Sequence, residues 1–270
     1  MMTIHSPSNP RIKTLVRLRD RRERESTGRF LIDGAGEIAL AAVSGWTVET
    51  VYVCPEVSRF VENASLRTQI DTQGVEHVTL SLSAYRKAAY SDNADGWLAV
   101  ARTPAFPLRA LNLGPRPLLL VSEDVEKPGN IGALLRTADA AGVDGLIVSD
   151  PATDLVNANV IRASRGTLFT LPVAVAKTSA VLPWLREYRI QIVAATPAAS
   201  ITYTEVDLRT PTALVVGAED SGLSQAWLDA ADVLVRIPMA GKINSLNVST
   251  SAAVLVYEAV RQRLGGPREP

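Results

Sequence analysis

Apolar and polar positions along the first hundred residues alternate in a way that predicts a mixed α/β domain. Short runs rich in apolar and β-branched residues predict strands at 29–33, 48–53, 76–80 and 97–101. Stretches with helical spacing of apolar residues predict helices at 10–25, 35–44, 59–72 and 82–89. The regular alternation of the two patterns predicts one compact domain over residues 1–102.

The second half of the chain has a different pattern, in which the strands are apolar throughout. Leu118–Val121 contains no polar residue, and further runs predict strands at 145–148, 171–175, 190–195, 213–216 and 233–237. Strands that are apolar on both faces are typical of a parallel sheet covered by helices on both sides. With helical patterns at 130–141 and 248–264, residues 117–270 are predicted to form a doubly wound parallel sheet. Proline and glycine are concentrated between the two halves, which predicts a linker over 103–116.

Composition narrows the functional classes without selecting one. The chain of 270 residues has 28 basic and 28 acidic side chains, so its net charge gives no global sign of a nucleic-acid partner. The first thirty residues differ, because eight Arg and Lys side chains there are accompanied by only three acidic ones. This segment is either a phosphate-binding surface or a solvated helix with interspersed charges.

Cysteine content and hydropathy indicate the compartment. Cys54 is the only cysteine, so neither a disulfide framework nor a thiolate metal cluster is expected, and a reducing cytoplasm is predicted. The sequence has no signal-peptide pattern and no run of eighteen apolar residues, so we expect a soluble protein without membrane contact.

Polar loops follow four of the predicted parallel strands, after Val121, Ala195, Val216 and Ile237. In an open parallel sheet such loops meet at the carboxyl edge, which is where ligands bind. Neither the glycine-rich dinucleotide pattern nor the Walker pattern occurs in them, which argues against dinucleotide and nucleoside-triphosphate binding. Taken singly, Asn247 and Ser249 are explained by helix capping, and Gly217 and Gly222 by turn geometry.

Three loop segments occur in order along this half of the chain. They are NIGALLR at 130–136, GAEDSG at 217–222 and IPMAGKINSLNVS at 237–249. Together they resemble the signature motifs of the SpoU/TrmH family of RNA ribose 2′-O-methyltransferases, and the resemblance covers about residues 117–265. Residues 1–102 are similar, more loosely, to the ribosomal-protein-like α/β substrate-binding domain that often precedes this catalytic domain, with Phe30–Gly34 as the most recognisable part.

The resemblance implies a SPOUT domain with a deep trefoil knot at the carboxyl edge of the sheet, and S-adenosylmethionine bound within the knot. In the family, backbone groups hold most of the cofactor. The matching cofactor-binding positions here are Ala195, Thr196, Gly217, Ile237 and Leu246. Small and apolar side chains suit such a pocket, since they leave backbone groups accessible and cover the apolar surfaces of the ligand. No metal ion is expected.

The implied reaction is attack of a ribose 2′-oxygen on the sulfonium methyl group. The catalytic positions that match the family are Arg136, Asn130, Glu219, Ser245 and Asn247. The family gives the central role to the arginine, yet a guanidinium has a pKa above about 12 and is hard to deprotonate. We therefore hypothesise that Arg136 chiefly clamps the phosphate beside the target ribose, while a role as the base stays open.

RNA contacts are predicted on the basic segment and on one further arginine. The candidates are Arg17, Arg21, Arg24, Arg29 and Arg165. The last belongs to RASRG at 162–166, which resembles a family segment that faces the RNA and the partner subunit. Because family members act as homodimers through the knot and the terminal helix, a homodimer is expected.

The identity of the RNA is less constrained than the chemistry. Ribosomal RNA, and 23S rRNA in particular, is the favoured substrate because the N-terminal domain resembles domains that grip structured rRNA. A tRNA ribose 2′-O-methyltransferase and a non-catalytic RNA-binding protein of the same fold are the alternatives. Retention of Arg136 and Asn247 favours an enzyme. A housekeeping role and a role in antibiotic resistance both stay open.

Overall fold

The computed structural model describes residues 2–58, 74–90, 95–242 and 245–264. Its residues group into two compact units. The first comprises residues 1–105 and 154–170, and the second comprises residues 106–153 and 171–270. The first division along the chain therefore falls inside the predicted linker of 103–116, whereas residues 154–170 pack with the first unit although they lie within the predicted 117–270 domain.

Helices and strands alternate along most of the described chain. The strands are β1 (Met2–Ile4), β2 (Arg29–Asp33), β3 (Val48–Val53), β4 (Glu76–Leu80), β5 (Trp97–Arg102), β6 (Leu118–Glu123), β7 (Gly145–Ser149), β8 (Val173–Ala176), β9 (Gln191–Ala195), β10 (Ile201–Thr202), β11 (Thr212–Val216) and β12 (Val233–Arg236). The helices are α1 (Pro10–Arg17), α2 (Arg21–Thr27), α3 (Ala35–Val43), α4 (Leu82–Ala88), α5 (Pro128–Ala141), α6 (Ala158–Ser164), α7 (Thr178–Glu187), α8 (Gln225–Ala230) and α9 (Val248–Leu264).

The first unit contains, in its described part, a mixed sheet with the strand order β1-β4-β3-β5-β2. The pairs β1–β4 and β3–β4 are parallel, whereas β5 runs antiparallel to both β2 and β3. Ile12 and Leu15 of α1 are fully buried in one core with Leu31, Val78 and Leu98 of the sheet. This burial anchors the basic N-terminal segment to the sheet.

The prediction of a single helix at 10–25 is wrong, because this segment forms two helices. Helix α1 ends at Arg17, where the amide of Leu18 donates to the carbonyl of Thr14. Asp20 then caps α2 by accepting a hydrogen bond of 2.7 Å from the amide of Arg22. An aspartate that can cap a new helix competes with continuation of the old one.

Residues 154–170 are held in the first unit by a buried ion pair and by aromatic packing. The guanidinium of Arg24 donates to both carboxylate oxygens of Asp154, at 3.1 and 2.6 Å. Trp46 donates its indole N–H to the carbonyl of Phe169, and the two rings meet edge to face at 4.9 Å. These contacts join positions 130 and 123 residues apart in the sequence.

The second unit contains a wholly parallel sheet with the order β10-β12-β9-β11-β6-β7-β8. One face packs against α7 and α8, with Val181, Leu185 and Trp227 in the same core cluster as Leu119 and Val121. On the other face α9 packs against α5 and against β6 and β11. The predicted doubly wound parallel sheet is confirmed.

The strand order reverses direction at the β6–β11 pair. From β6 the chain moves outward through β7 to β8, and it then crosses to β9 on the far side of β11. Ligands bind at such a switch point, beyond the carboxyl ends of the strands. The loops after β6, β9, β11 and β12 therefore converge at one edge.

Some short elements were not predicted from the sequence. Strands β1 and β10 span only three and two residues, and α6 spans seven. Patterns this short contain too few positions to show a period. Helix α5 begins at Pro128 and not at Asn130, and the predicted helix at 59–72 lies outside the described residues.

Candidate active site

A cavity of about 450 Å³ opens at the carboxyl edge of the parallel sheet. All five residues predicted to bind the cofactor line it: Ala195, Thr196, Gly217, Ile237 and Leu246. They come from the end of β9 and from the loops after β9, β11 and β12, which the sheet topology places side by side. Their roles as contacts stay predictions, but the structure does bring them together.

Gly217 allows the loop after β11 to fold back tightly on itself. A Cβ atom at this position would overlap the carbonyl group of Gly222 and lie 2.6 Å from the amide nitrogen of Leu223. The amide of Gly222 donates to the carbonyl of Ala218 at 3.0 Å, and Gly222 has a φ of 69°, a conformation that favours glycine. The two glycines of this loop are therefore required by its shape.

The walls of the cavity combine apolar side chains with accessible backbone groups. Met239 and Leu246 line it while 38% and 37% exposed, so apolar surface faces the opening. Gly217 and Ala195 present little side chain, which leaves backbone groups accessible to a ligand. An apolar pocket with backbone donors and acceptors is the usual form of a small-molecule site.

A network of hydrogen-bonded polar side chains lies beside the cavity and connects three loops. The carboxylate of Glu219 accepts hydrogen bonds from the amides of Asn130, at 3.1 Å, and Asn247. The amide of Asn247 also donates to the side-chain oxygen of Asn130 at 3.1 Å. Three of the predicted catalytic residues are thus directly bonded to one another, and Ser245 lines the cavity with Glu219.

The same carboxylate forms an ion pair with Lys127, the residue before α5. The hydrogen bond from the Lys127 ammonium is the main influence that holds the pKa of Glu219 below its usual range, with a smaller contribution from Asn130. The pair correspondingly raises the pKa of Lys127. Glu219 is therefore ionised at neutral pH and serves as a hydrogen-bond acceptor, not as a proton donor.

Arg136 is exposed on α5 and lies outside the cavity lining. It follows Asn130 by six residues, or about 9 Å of helix rise. Within the described residues its guanidinium has no hydrogen bond or ion pair. An exposed guanidinium without a protein partner is available to bind an anion such as a phosphate.

The five arginines predicted to bind RNA are in three different situations. Arg17, Arg21 and Arg29 are exposed but paired with Glu23, Glu25 and Glu49 respectively. Arg165 is exposed at the end of α6, in a left-handed conformation with φ of 51°.

Arg24 differs from the prediction. It is only 4% exposed, and its guanidinium donates to Asp154 and to the carbonyls of Leu18 and Arg19. A buried and fully bonded guanidinium has no face left for a phosphate, so Arg24 is removed from the proposed RNA surface.

Sequence reasoning assigned no role to a second network, which lies under the loop after β11. Buried Glu123 accepts hydrogen bonds from Ser224 and Thr178, and Thr178 in turn accepts one from Trp227. The only sequence signal was a Ser-Glu pair that ends the apolar strand β6. Lys127 was also overlooked, because its partner Glu219 is 92 residues away.

The described residues contain no helix long and apolar enough to cross a membrane. They also contain no group of three or more His, Cys, Asp and Glu side chains arranged to hold a metal ion.

A doubly wound parallel sheet with a small-molecule cavity at its switch point defines an α/β enzyme fold, and comparisons with known proteins identify the family. The SpoU rRNA methylase family matches residues 117–257, and an MRM3-like substrate-binding domain matches residues 9–99. The chain belongs to the SpoU rRNA methylase family.

Known proteins and solved structures match this chain over nearly its whole length. A 23S rRNA (uridine(2479)-2′-O)-methyltransferase of Streptomyces viridochromogenes is 33% identical over 92% of this chain and 88% of its own length. The solved structure of an RNA 2′-O ribose methyltransferase is 43% identical, with a TM-score of 0.83 over 97% of this chain and 100% of that one. An AdoMet-bound rRNA methyltransferase of Sinorhizobium meliloti is 28% identical, with a TM-score of 0.88 over 97% and 98%. The predicted family, fold class, enzyme class and cofactor are confirmed.

Proposed function

We propose that this chain transfers the methyl group of S-adenosylmethionine to a ribose 2′-hydroxyl of 23S ribosomal RNA. The observation that carries the proposal is the single cavity on which Ala195, Thr196, Gly217, Ile237 and Leu246 lie, directly beside the network around Glu219. The N-terminal match to a substrate-binding domain supports a structured RNA substrate. The bound cofactor supplies an electrophilic methyl group on a sulfonium centre.

Arg136 is the residue that activates the RNA. Its planar guanidinium binds the phosphate beside the target ribose with two parallel hydrogen bonds and holds the 2′-hydroxyl in line for attack. A guanidinium is a hydrogen-bond donor with no acceptor atom, so in this proposal the hydroxyl proton passes to that phosphate. Asn130 and Asn247 hold the loops in register through Glu219, and Ser245 borders the cavity where the ribose enters.

We also propose that the loop from Ile237 to Ser249 is the threaded part of a trefoil knot, and that the protein is a homodimer. Support for the knot comes from the position of this loop, which leaves β12 and returns through α9 to pack on α5. Support for the dimer comes from exposed apolar side chains on α9, of which Tyr257 is 49% exposed. In such a dimer each site borrows RNA contacts, including Arg165, from the neighbouring subunit.

The reaction takes place in the cytoplasm under this proposal. The chain contains a single cysteine, Cys54, which is buried and unpaired. A lone unpaired thiol is typical of proteins from a reducing compartment.

The decisive experiment incubates the protein with labelled S-adenosylmethionine and either 23S rRNA or tRNA. Methylated ribose is then mapped by reverse-transcriptase stops at low nucleotide concentration. We expect stops on 23S rRNA only. Stops on tRNA would reassign the substrate, and a chain that binds RNA but not S-adenosylmethionine in isothermal titration would be a non-catalytic binding protein.

The role of Arg136 is tested by Arg136→Lys. This substitution keeps the positive charge but removes the planar group that can donate two parallel hydrogen bonds to a phosphate. We expect methylation to fall about 10- to 100-fold, since one charge-assisted hydrogen bond contributes roughly 1.5–3 kcal/mol. Affinity for S-adenosylmethionine should not change. Arg209→Lys is the matched control, because Arg209 is exposed in the same unit and pairs only with Asp207 within the described residues. Undiminished methylation by Arg136→Lys would reject the proposal that Arg136 binds the phosphate through two parallel hydrogen bonds.

A further inference from the structure

Glu123 is a buried carboxylate at the carboxyl end of β6, below the edge that carries the cavity. It is 5% exposed, and the amide and the hydroxyl of Ser224 donate to its two oxygens at 2.7 and 2.6 Å. The hydroxyl of Thr178 lies 3.4 Å from the same carboxylate. None of these bonded partners is a cation. Burial of a carboxylate costs free energy unless hydrogen bonds compensate for the lost water. The hydrogen bonds to Glu123 therefore point to a defined role for this side chain.

The partners of Glu123 belong to a buried network that joins four elements. The hydroxyl of Thr178, at the start of α7, is 2.7 Å from that of Ser149 at the end of β7. The indole N–H of Trp227 in α8 donates to the same Thr178 oxygen at 3.0 Å. Trp227 is fully buried. Glu123 is therefore held in place by neighbours on both sides and has little freedom to move.

The position of this network matters because of the loop that it closes. Val216, the last residue of β11, pairs in register with Ser122. Ser224, which precedes α8, bonds to Glu123, the next residue of β6. Two consecutive residues of one strand thus hold the two ends of the loop 217–223. Gly217 and Glu219, which form part of the cavity wall, lie between those ends.

We propose that Glu123 is a positioning residue that fixes the loop 217–223 in the shape that binds the cofactor. The proposal rests on the proposed S-adenosylmethionine-dependent function. Within the loop itself the tight turn depends on the bond from the amide of Gly222 to the carbonyl of Ala218. Removal of Glu123 leaves the amide of Ser224 without its buried acceptor and frees the exit of the loop, so the Gly217 backbone no longer stays against Gly222.

Three variants and one matched control test this role. Glu123→Ala removes both acceptor oxygens, Glu123→Gln keeps one, and Ser224→Ala removes one donor. The control is Asp144→Asn, because Asp144 accepts a 2.7 Å hydrogen bond from the amide of Leu118 at the opposite end of the same strand. This control removes the charge of a carboxylate that precedes β7 and holds the first residue of β6, at the end of the strand away from the loop 217–223.

The measurements are S-adenosylmethionine affinity by isothermal titration, amide hydrogen exchange of residues 217–223 without cofactor, and melting temperature. For Glu123→Ala we expect affinity to fall about 10- to 100-fold and exchange in the loop to accelerate. Glu123→Gln should show a smaller change in the same direction. Asp144→Asn should lower the melting temperature while affinity and loop exchange stay at the wild-type values. In turnover, the KM for S-adenosylmethionine should rise more than kcat falls.

Each outcome separates this role from the proposed function. If the wild type does not bind S-adenosylmethionine, the proposed function fails, while loop exchange still reports on Glu123. If the wild type binds and Glu123→Ala binds within twofold of it, the positioning role is rejected. If Glu123→Ala does not fold, Glu123→Gln and Ser224→Ala decide: equal affinity in both and in Asp144→Asn would overturn the proposal.

Discussion

Single arginines in this protein lie in two distinct environments that their sequence context does not distinguish. Arg24 is buried and bonded to Asp154, whereas Arg136 is exposed and has no bonded partner in the described part of the chain. Desolvation makes the first arginine dependent on its carboxylate, because a buried charge without a partner is strongly unfavourable. The second is accessible to a substrate anion. Burial, and not residue type, therefore separates an arginine that is bonded within the protein from one whose guanidinium is free to contact a ligand.

Removal of the carboxylate from the buried pair should destabilise the protein far more than loss of an exposed pair. For Asp154→Ala we expect the free energy of unfolding to fall by about 3 kcal/mol, since the guanidinium of Arg24 stays buried without its counter-charge. Urea denaturation followed by circular dichroism measures this change. Glu25→Ala, which breaks the exposed Arg21–Glu25 pair, is the matched control and should cost at most about 0.5 kcal/mol.

Equal effects of the two substitutions would show that Arg24 relaxes into solvent when Asp154 is lost. A second check is the double variant Arg24→Met with Asp154→Ala. It removes both charges and should recover part of the stability lost in Asp154→Ala, because an apolar side chain carries no uncompensated charge.

At the scale of elements, Glu219 joins the loop after β11 to the start of α5 and to the loop before α9 through Lys127, Asn130 and Asn247. The bond from Lys127 lowers the pKa of Glu219 in the folded chain relative to the ordinary value of 4.5. The ionised carboxylate therefore stabilises the folded state fully above about pH 4.5. This contribution is lost as the pH falls through the lowered folded-state pKa.

The difference in melting temperature between the wild type and Glu219→Gln should consequently depend on pH. We expect the wild type to be the more stable protein at pH 7 and the difference to shrink as the pH falls below about 4.5. Calorimetry of both proteins across this range measures the difference. Lys127→Met removes the cation that lowers the pKa and should show the same trend against the wild type. A difference that does not change with pH would contradict the assigned role of the ion pair.

The elements that could be predicted from the sequence are those whose pattern repeats over enough residues. Strand β6 and helices α5 and α9 were predicted because apolar runs and helical spacing are local properties. Gly217, Ile237 and Leu246, which line the cavity, could be proposed from the sequence because they belong to the family motifs.

Contacts between distant positions could not be predicted in this way. Asp154 is 130 residues from Arg24, and Ser224 is 101 residues from Glu123. Nothing local marks such partners, so the docking of residues 154–170 and the buried network became visible only in three dimensions.

At the scale of the whole molecule, RNA affinity depends on where the unpaired positive charges are. The net charge is zero, and Arg17, Arg21 and Arg29 are each paired with a glutamate. The guanidinium of Arg165 has no hydrogen bond or ion pair in the described part of the chain, and Glu37 acts on its charge only through space. A paired arginine must give up its glutamate before it can neutralise a phosphate fully, so Arg165 should contribute more to RNA binding than any of the three.

Salt dependence of RNA binding tests this ranking. For Arg165→Gln we expect the slope of log K against log salt concentration to become shallower by about 0.7–0.9, the value for one phosphate contact. Arg29→Gln should change the slope less, because Glu49 already lies 2.5 Å from the guanidinium. Fluorescence anisotropy of a labelled rRNA fragment between about 50 and 200 mM salt gives the slopes. Equal changes would mean that the ion pairs open when RNA binds.

The proposed homodimer would cover the apolar surface that α9 exposes. Tyr257 is 49% exposed in the middle of this helix. A buried aromatic anchor of this kind often supplies a large share of the energy of an interface. For Tyr257→Glu we therefore expect dimerisation to weaken by roughly tenfold or more and methylation to fall with it. Sedimentation equilibrium and methylation assays at matched concentrations measure the two effects.

A tyrosine on the other face of the sheet provides the control for this test. Tyr188 follows α7 and is similarly exposed, so Tyr188→Glu introduces the same charge far from α9. It should leave both the association state and the activity unchanged. A wild-type protein that sediments as a monomer with full activity would refute the shared site. So would a Tyr257→Glu monomer that methylates RNA at the wild-type rate, because neither could borrow a residue from a neighbouring subunit.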